Sequence, residues 1–195
     1  GANCDIIKGD FATSGIIRTG FILKNVELDG TKATNASGSG VNSYKVWAYL
    51  YDVYIHDCKE YGVSSLNVTA DGGGHGTNVI VRLCDLDGVK ITGTSGVFWS
   101  GSNWMNSNGG WGFNIDGYGD HWISLCVESN SGGGFRKYNA GGCLIDIFAI
   151  NNSGNNVDIG GGHRDMMKIK TRGGTVGLLL FNAGMNDICV EIQDI

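Results

Sequence analysis

Residues 121–154 read HWISLCVESNSGGGFRKYNAGGCLIDIFAINNSG, and one motif occurs twice within them. The triplet Ile123-x-Leu125-x-Val127 returns 22 residues later as Ile145-x-Ile147-x-Ala149, and once more as Met167-x-Ile169-x-Thr171. Phe113, Phe135, Val157 and Leu179 keep the same interval, as do Asn108, Asn130 and Asn152. Apolar residues at every second position are the signature of a strand with one buried face. Their return at a fixed interval in the twenties marks a solenoid whose coils stack into parallel sheets.

Working outward, Val79-x-Val81-x-Leu83 aligns with the Ile123 triplet two coils on, Val53-x-Ile55 aligns with Val81-x-Leu83, and Val26-x-Leu28 precedes them. Ile188-x-Val190-x-Ile192 closes the series after an interval of 21. Each triplet runs into an Asn/Asp/Gly turn and then a second short apolar strand, such as Val89 with Ile91 or Trp111 with Phe113. The expectation is an all-β, right-handed, single-stranded parallel β-helix of about eight coils over residues 1–195, without a helix. A leucine-rich solenoid has a similar period but needs a Leu-rich consensus that is absent. The Asn108/Asn130/Asn152 row fits a structural ladder of amides bonded from coil to coil. Strand-like sequence running to both ends, without a cap, predicts a piece of a longer chain.

Composition agrees. The chain has 34 Gly and no Pro in 195 residues, yet 42% of it is hydrophobic, enough for a packed core and too much for a linker. Fourteen Lys and Arg are scattered, and the net charge is −5, which argues against a nucleic-acid partner. No apolar run approaches the ~20 residues that cross a bilayer, so no membrane insertion is expected. Cys4, Cys58, Cys84, Cys126, Cys143 and Cys189 form no CxxC pair and read as free thiols.

The repeated elements Val53-Tyr54-Ile55-His56-Asp57-Cys58…Gly62-Val63 and Leu125-Cys126-Val127-Glu128-Ser129-Asn130…Gly134-Phe135 resemble the pectin-lyase-like β-helix superfamily. Within it they are similar to the receptor-binding tailspikes of bacteriophages, over nearly the whole chain. The resemblance implies a homotrimer attached to the rest of a phage tail, made in the host cytoplasm, that binds and hydrolyses bacterial capsule or O-antigen. A secreted bacterial protein is the alternative. Gly74-His75-Gly76 with Gly88-Val89-Lys90-Ile91-Thr92 looks slightly like polygalacturonase elements, but that family's Asn-Thr-Asp and Asp-Asp are missing.

Outward positions on a β-helix form columns with one residue per coil. One column reads Glu27, Tyr54, Arg82, Trp104, Cys126, Phe148, Lys170, and the next Asp29, His56, Cys84, Asn106, Glu128, Ile150, Arg172. Acids with aromatics suit a saccharide groove, and glycoside hydrolysis needs two carboxyl groups. Glu27 and Asp29 are one candidate pair; Asp85 and Asp87 share the spacing but fall near a turn. Asp116 and Asp120, beside His121 in a connection between coils, are the second pair, with Glu128 and Arg136 nearby. Tyr54, His56, Arg82, Trp104, His121, Glu128 and Arg136 are candidate sugar-binding residues. Asp71 and His75 sit in an insertion over residues 69–78 that could wall the groove. The sequence shows no metal-ligand set and no cofactor motif. Three functions remain open: a polysaccharide hydrolase, a non-catalytic carbohydrate-binding or structural fibre segment, and a polysaccharide lyase using Arg82 or Arg136 as base. Trp47, Tyr49, Tyr51, Trp99 and Trp122 are expected at the trimer surface.

Overall fold

The computed structural model describes residues 6–10, 20–44, 46–66, 74–93, 96–117, 119–138, 142–161, 165–181 and 187–193. Cys4 and Asp71 lie outside them. Among the described residues every element is a strand, and no helix is long and apolar enough to cross a membrane.

Two parallel sheets face each other. The first stacks β1 (Ile7–Asp10), β3 (Val41–Tyr44), β5 (Val63–Leu66), β8 (Val89–Thr92), β11 (Trp111–Asp116), β13 (Gly133–Tyr138), β15 (Asn155–Gly160) and β17 (Val176–Phe181). The second contains β2 (Gly20–Asp29), β4 (Trp47–His56), the pair β6 (Gly74–Thr77) and β7 (Ile80–Arg82), and the pair β9 (Val97–Ser100) and β10 (Trp104–Asn106). It continues with β12 (His121–Glu128), β14 (Leu144–Ile150), β16 (Met166–Arg172) and β18 (Asp187–Gln193). The result is the expected parallel β-solenoid. In the first sheet Val41, Val63, Val89, Phe113, Phe135, Val157 and Leu178 lie over one another, so about six turns repeat near 22 residues, slightly fewer than the eight expected.

The core fills the space between the sheets. Ile55, Val81, Met105, Val127 and Ala149 form one inward column of the second sheet, none of them exposed. Phe113 and Phe135 stack at 5.9 Å, and Trp99 meets Phe113 edge-on at 5.2 Å. Full burial of such side chains stabilises by roughly 1.5–3 kcal/mol each.

The asparagine ladder forms at the turn after the second sheet. Asn108 Nδ2 donates to Asn130 Oδ1 at 3.0 Å, Asn130 Nδ2 to Asn152 Oδ1 at 2.9 Å, and Asn152 Nδ2 to Asn156 Oδ1 at 2.8 Å. The same oxygens accept backbone N–H groups, while each Nδ2 also reaches a core-strand carbonyl. Buried amides are thereby fully used, as their desolvation requires.

Three local readings need correction. Leu178, not Leu179, lies over Val157, because one residue is missing from that coil; Leu179 is left exposed. Val79-x-Val81-x-Leu83 is two residues out of step, since Val81, not Leu83, lines up through Met105 with Val127. Leu83 takes φ +58° in a turn row shared with Asp57, Ser107, Ser129 and Asn151. Trp99 is buried, so it cannot serve an outer surface.

A kink divides the second sheet. Asn25, Asp52, Asn78 and Gly101 all have positive φ at matching positions of successive coils. The fifth coil has no such residue and runs straight through β12. Buried Asn103 seals the change, accepting from Val79 N at 3.0 Å and donating to Ser100 O at 2.8 Å and Ser124 O at 3.1 Å.

Candidate functional site on the outer face of the second sheet

Strand register fixes four outward columns on this face. Ile22, Tyr49, His75, Phe98, Trp122, Leu144 and Met166 form the first, an apolar and aromatic ridge crossing seven coils. Tyr49 and His75 stack at 4.7 Å, and His75 and Phe98 at 5.0 Å. His75 therefore belongs to strand β6 and to this ridge rather than to a loop, and burial lowers its pKa. The second column is polar, with Ser124, Asp146 and Lys168 side by side on coils five to seven.

Beyond the kink, the third column reads Glu27, Tyr54, Ile80, Trp104, Cys126, Phe148, Lys170, and the fourth Asp29, His56, Arg82, Asn106, Glu128, Ile150, Arg172. Arg82 thus moves from the third column to the fourth, and Cys84 turns inward, both through the two-residue slip. Glu27, Asp29, Tyr54, His56, Arg82, Trp104 and Glu128 consequently share one face. Asn106 Nδ2 donates to Glu128 at 3.3 Å.

His56 is the centre of the acidic end. Its Nε2 lies 3.0 Å from Glu27 Oε1, its Nδ1 2.8 Å from Asp57 Oδ2 and 4.0 Å from Asp29 Oδ1. Tyr54 stacks on the ring at 4.6 Å. Partial burial opposes the charged imidazole, but the bonds to Asp57 and Glu27 and the Asp29 charge outweigh it, so the pKa is raised above 6.5. Asp57 was not singled out from sequence, where it read as a turn residue. Its adjacency to His56, with Asp29 one coil earlier, was the available signal. No metal-ligand set was legible in sequence, yet Asp29, His56 and Asp57 offer donor atoms within 4.8 Å of one another.

Two depressions mark the other end. One of about 610 Å³ is lined by Trp122, Ser124, Leu144, Asp146, Met166 and Lys168. Another of about 350 Å³ lies where the kink ends, against Trp104, Ser124, Cys126, Asp146 and Phe148. Ser124 and Asp146 line both, which makes the pair a continuous trough with apolar walls and polar groups along its floor.

The second sequence cluster is divided: Asp116 and Arg136 share a face on adjacent strands of the first sheet, while His121 turns into the core. Asp116 is half-buried at the end of β11 on the first sheet, and Asp120 is exposed in the following connection. His121 points into the core, 4% exposed, and cannot contact a sugar. Its place two residues before inward Ile123 gives it the same parity. Arg136 belongs to the first sheet, its guanidinium over the rings of Tyr138 (4.2 Å) and Trp111 (5.5 Å). Asp85 is held by Lys59 at 2.7 Å and Lys32 at 3.2 Å, and these partners lower its pKa. Asp87 is buried, accepting from Trp111 N and Asn114 Nδ2, which makes it structural. The five cysteines among the described residues are free thiols.

These features define a single-stranded parallel β-helix that carries its candidate groups on the outer face of one sheet. The fold is similar to the enzymatically active domain of tailspike protein 2 of bacteriophage CBA120, with a TM-score of 0.69 at 13% identity over 89% of this chain and 34% of that one. It is also similar to the A-module of the mannuronan C-5 epimerase AlgE4 of Azotobacter vinelandii, with a TM-score of 0.56 at 11% identity over 90% of this chain and 56% of that one. The chain thus spans about a third of the tailspike domain and somewhat more than half of the epimerase module. No protein-family model matches the sequence, and no curated protein matches it.

Proposed function

We propose that this chain is part of a bacteriophage tailspike that binds a bacterial surface polysaccharide, capsule or O-antigen, on the outer face of its second sheet and hydrolyses it. The observation that carries the reading is the trough between Trp104 and Met166, which combines apolar and aromatic walls with Ser124, Asp146 and Lys168 along several coils. Sugar rings present apolar faces and hydroxyl edges, and a site with both kinds of surface suits them. Successive coils lie ~4.8 Å apart, so an extended chain running along the solenoid meets the same kind of surface repeatedly. Glu27 and Asp29 supply the carboxyl pair on this face, with Tyr54, His56, Arg82 and Glu128 around the sugar. Attachment to a phage tail and assembly as a homotrimer belong to the same proposal.

A panel of purified capsules and lipopolysaccharides, assayed for reducing ends and by mass spectrometry, tests this reading. Oligosaccharides of fixed repeat length, carrying the mass of added water, are expected, and Glu27→Gln should stop their release without abolishing binding. Products lighter by one water would indicate elimination instead. Binding without any product supports a second reading, a non-catalytic carbohydrate-binding segment. What favours that alternative is the position of the larger depression on coils five to seven, whereas Glu27 and Asp29 stand on the first coil of the sheet.

A further inference from the structure

Both nitrogens of His56 face carboxylates: Nε2 meets Glu27, and Nδ1 meets Asp57 and, further off, Asp29. A neutral imidazole has one N–H and one lone pair. Whichever tautomer it adopts, a lone pair is aimed at a carboxylate oxygen 2.8–3.0 Å away, which is repulsive. The arrangement requires positive charge between them, either a second proton or a cation. Among the described residues, the only ion pairs found for Glu27, Asp29 and Asp57 are to this one ring. The neighbouring Lys32 and Lys59 are taken by Asp85.

We propose that Asp29, His56 Nδ1 and Asp57 hold one divalent transition-metal ion such as Zn²⁺, with Glu27 bonded to Nε2–H behind the ring. Ligands ~2.1 Å from one ion stand about 3.0 Å apart at right angles and about 3.4 Å apart at the tetrahedral angle. The separations of 2.8 and 4.0 Å from Nδ1 to the two aspartates bracket those values. A carboxylate on the far nitrogen of a ligating imidazole fixes the tautomer and raises its basicity. One nitrogen and two oxygens suit Zn²⁺ and its neighbours better than Ca²⁺, which takes six to eight oxygens. The His56 side chain is only 13% exposed, but Asp29 and Asp57 are 52% and 36% exposed, so open coordination positions face solvent on the aspartate side. The site comes from two adjacent coils, Asp29 on one and His56-Asp57 on the next.

This inference does not depend on polysaccharide hydrolysis, and the two fail separately. A bound ion commits Asp29 as a ligand, so it is expected to slow rather than support hydrolysis by the Glu27/Asp29 pair. The test titrates Zn²⁺, without any saccharide, against a chelator dye at pH 7.5 in a Cys4→Ser, Cys189→Ser background; Cys189 is the one exposed thiol among the described residues. One equivalent should bind at micromolar concentration. Asp57→Asn and His56→Gln should each weaken it at least tenfold, and Glu27→Gln about tenfold, the usual effect of losing a carboxylate behind a ligating histidine. Circular dichroism verifies that each variant is folded, and Asp57→Asn keeps the side-chain shape should His56→Gln fail to fold. No saturable binding, or binding that Asp57→Asn leaves unchanged, overturns the proposal.

Discussion

Lys137 and Asp165 meet inside the solenoid, Nζ to Oδ2 at 2.7 Å, and neither side chain reaches solvent. Lys137 comes from β13 of the first sheet and Asp165 from the residue before β16 of the second, so the pair ties the sheets across the core. Asp165 also accepts the Cys143 backbone N–H at 3.0 Å. A buried pair contributes little over an apolar replacement of both partners, but removing one leaves an uncompensated charge. Lys137→Met alone should therefore cost about 3–5 kcal/mol, read as a lower urea midpoint at unchanged slope. Lys137→Met combined with Asp165→Leu should recover part of that loss; an additive double variant would show that the pair is not coupled.

His121 lies in the same interior, and its pKa is pushed down to about 4, by burial first and by the Lys137 charge second, against the opposing charges of Asp120 and Asp165. Unfolded, the ring titrates near 6.5. Its folded pKa is depressed, so the unfolded state binds the extra proton between pH 6.5 and 4. The neutral-His contribution is complete above pH 6.5 and is lost as pH falls towards 4. The stability of wild type minus that of His121→Leu should fall by about 3 kcal/mol from pH 7.5 to 4. Urea unfolding of both proteins across that range measures it, and a constant difference would contradict the buried, neutral ring.

Asn130 stands at the middle of the amide ladder and is fully buried. Its Oδ1 accepts both Asn108 N and Asn108 Nδ2, and its Nδ2 serves Met105 O and Asn152 Oδ1. Asn130→Ala leaves several of these groups unpaired away from water, at about 1–3 kcal/mol each and not additively. A total loss of at least about 3 kcal/mol is expected on that scale. Exposed Ser131→Ala, next to it, should stay within about 0.5 kcal/mol. Equal effects of the two would mean that the ladder does not hold the turns.

The repeat was legible because core residues at a two-residue period, returning every 22 residues, carry both strand and stacking information. The shared face of Glu27, Asp29, Tyr54 and His56 followed from it. Errors arose where apolar alternation continued past the end of a strand. Leu83 looks like a third core residue but occupies the left-handed turn position, and the slip misplaced Arg82 by a column. Trp99 was expected on the surface as an aromatic residue, without a strand phase; in β9 it alternates with outward Phe98 and faces the core. The relation among Glu27, His56 and Asp57 needed three dimensions. It joins a turn residue to a strand 30 positions earlier, and neither the kink at Asn25 and Asp52 nor the exact register is written in the composition of either segment.

Trp122 and Trp104 flank the trough, 54% and 36% exposed, on strands whose inward residues carry the core. Each ring is partly open to solvent, while the inward residues of the same strands hold the core packing. Alanine at either position should shift unfolding by no more than about 0.5 kcal/mol. An aromatic platform beneath a sugar supplies a large apolar contact at small entropic cost, and its loss should weaken binding about tenfold, or ~1.4 kcal/mol. Titration calorimetry with whichever capsule or lipopolysaccharide the wild type binds separates the two effects. Trp111→Ala, on the first sheet under Arg136, is the control and should leave affinity unchanged. Weakening by Trp111→Ala with none by Trp104→Ala or Trp122→Ala would move the binding surface to the first sheet, where Asp116 and Arg136 would again become the residues to test.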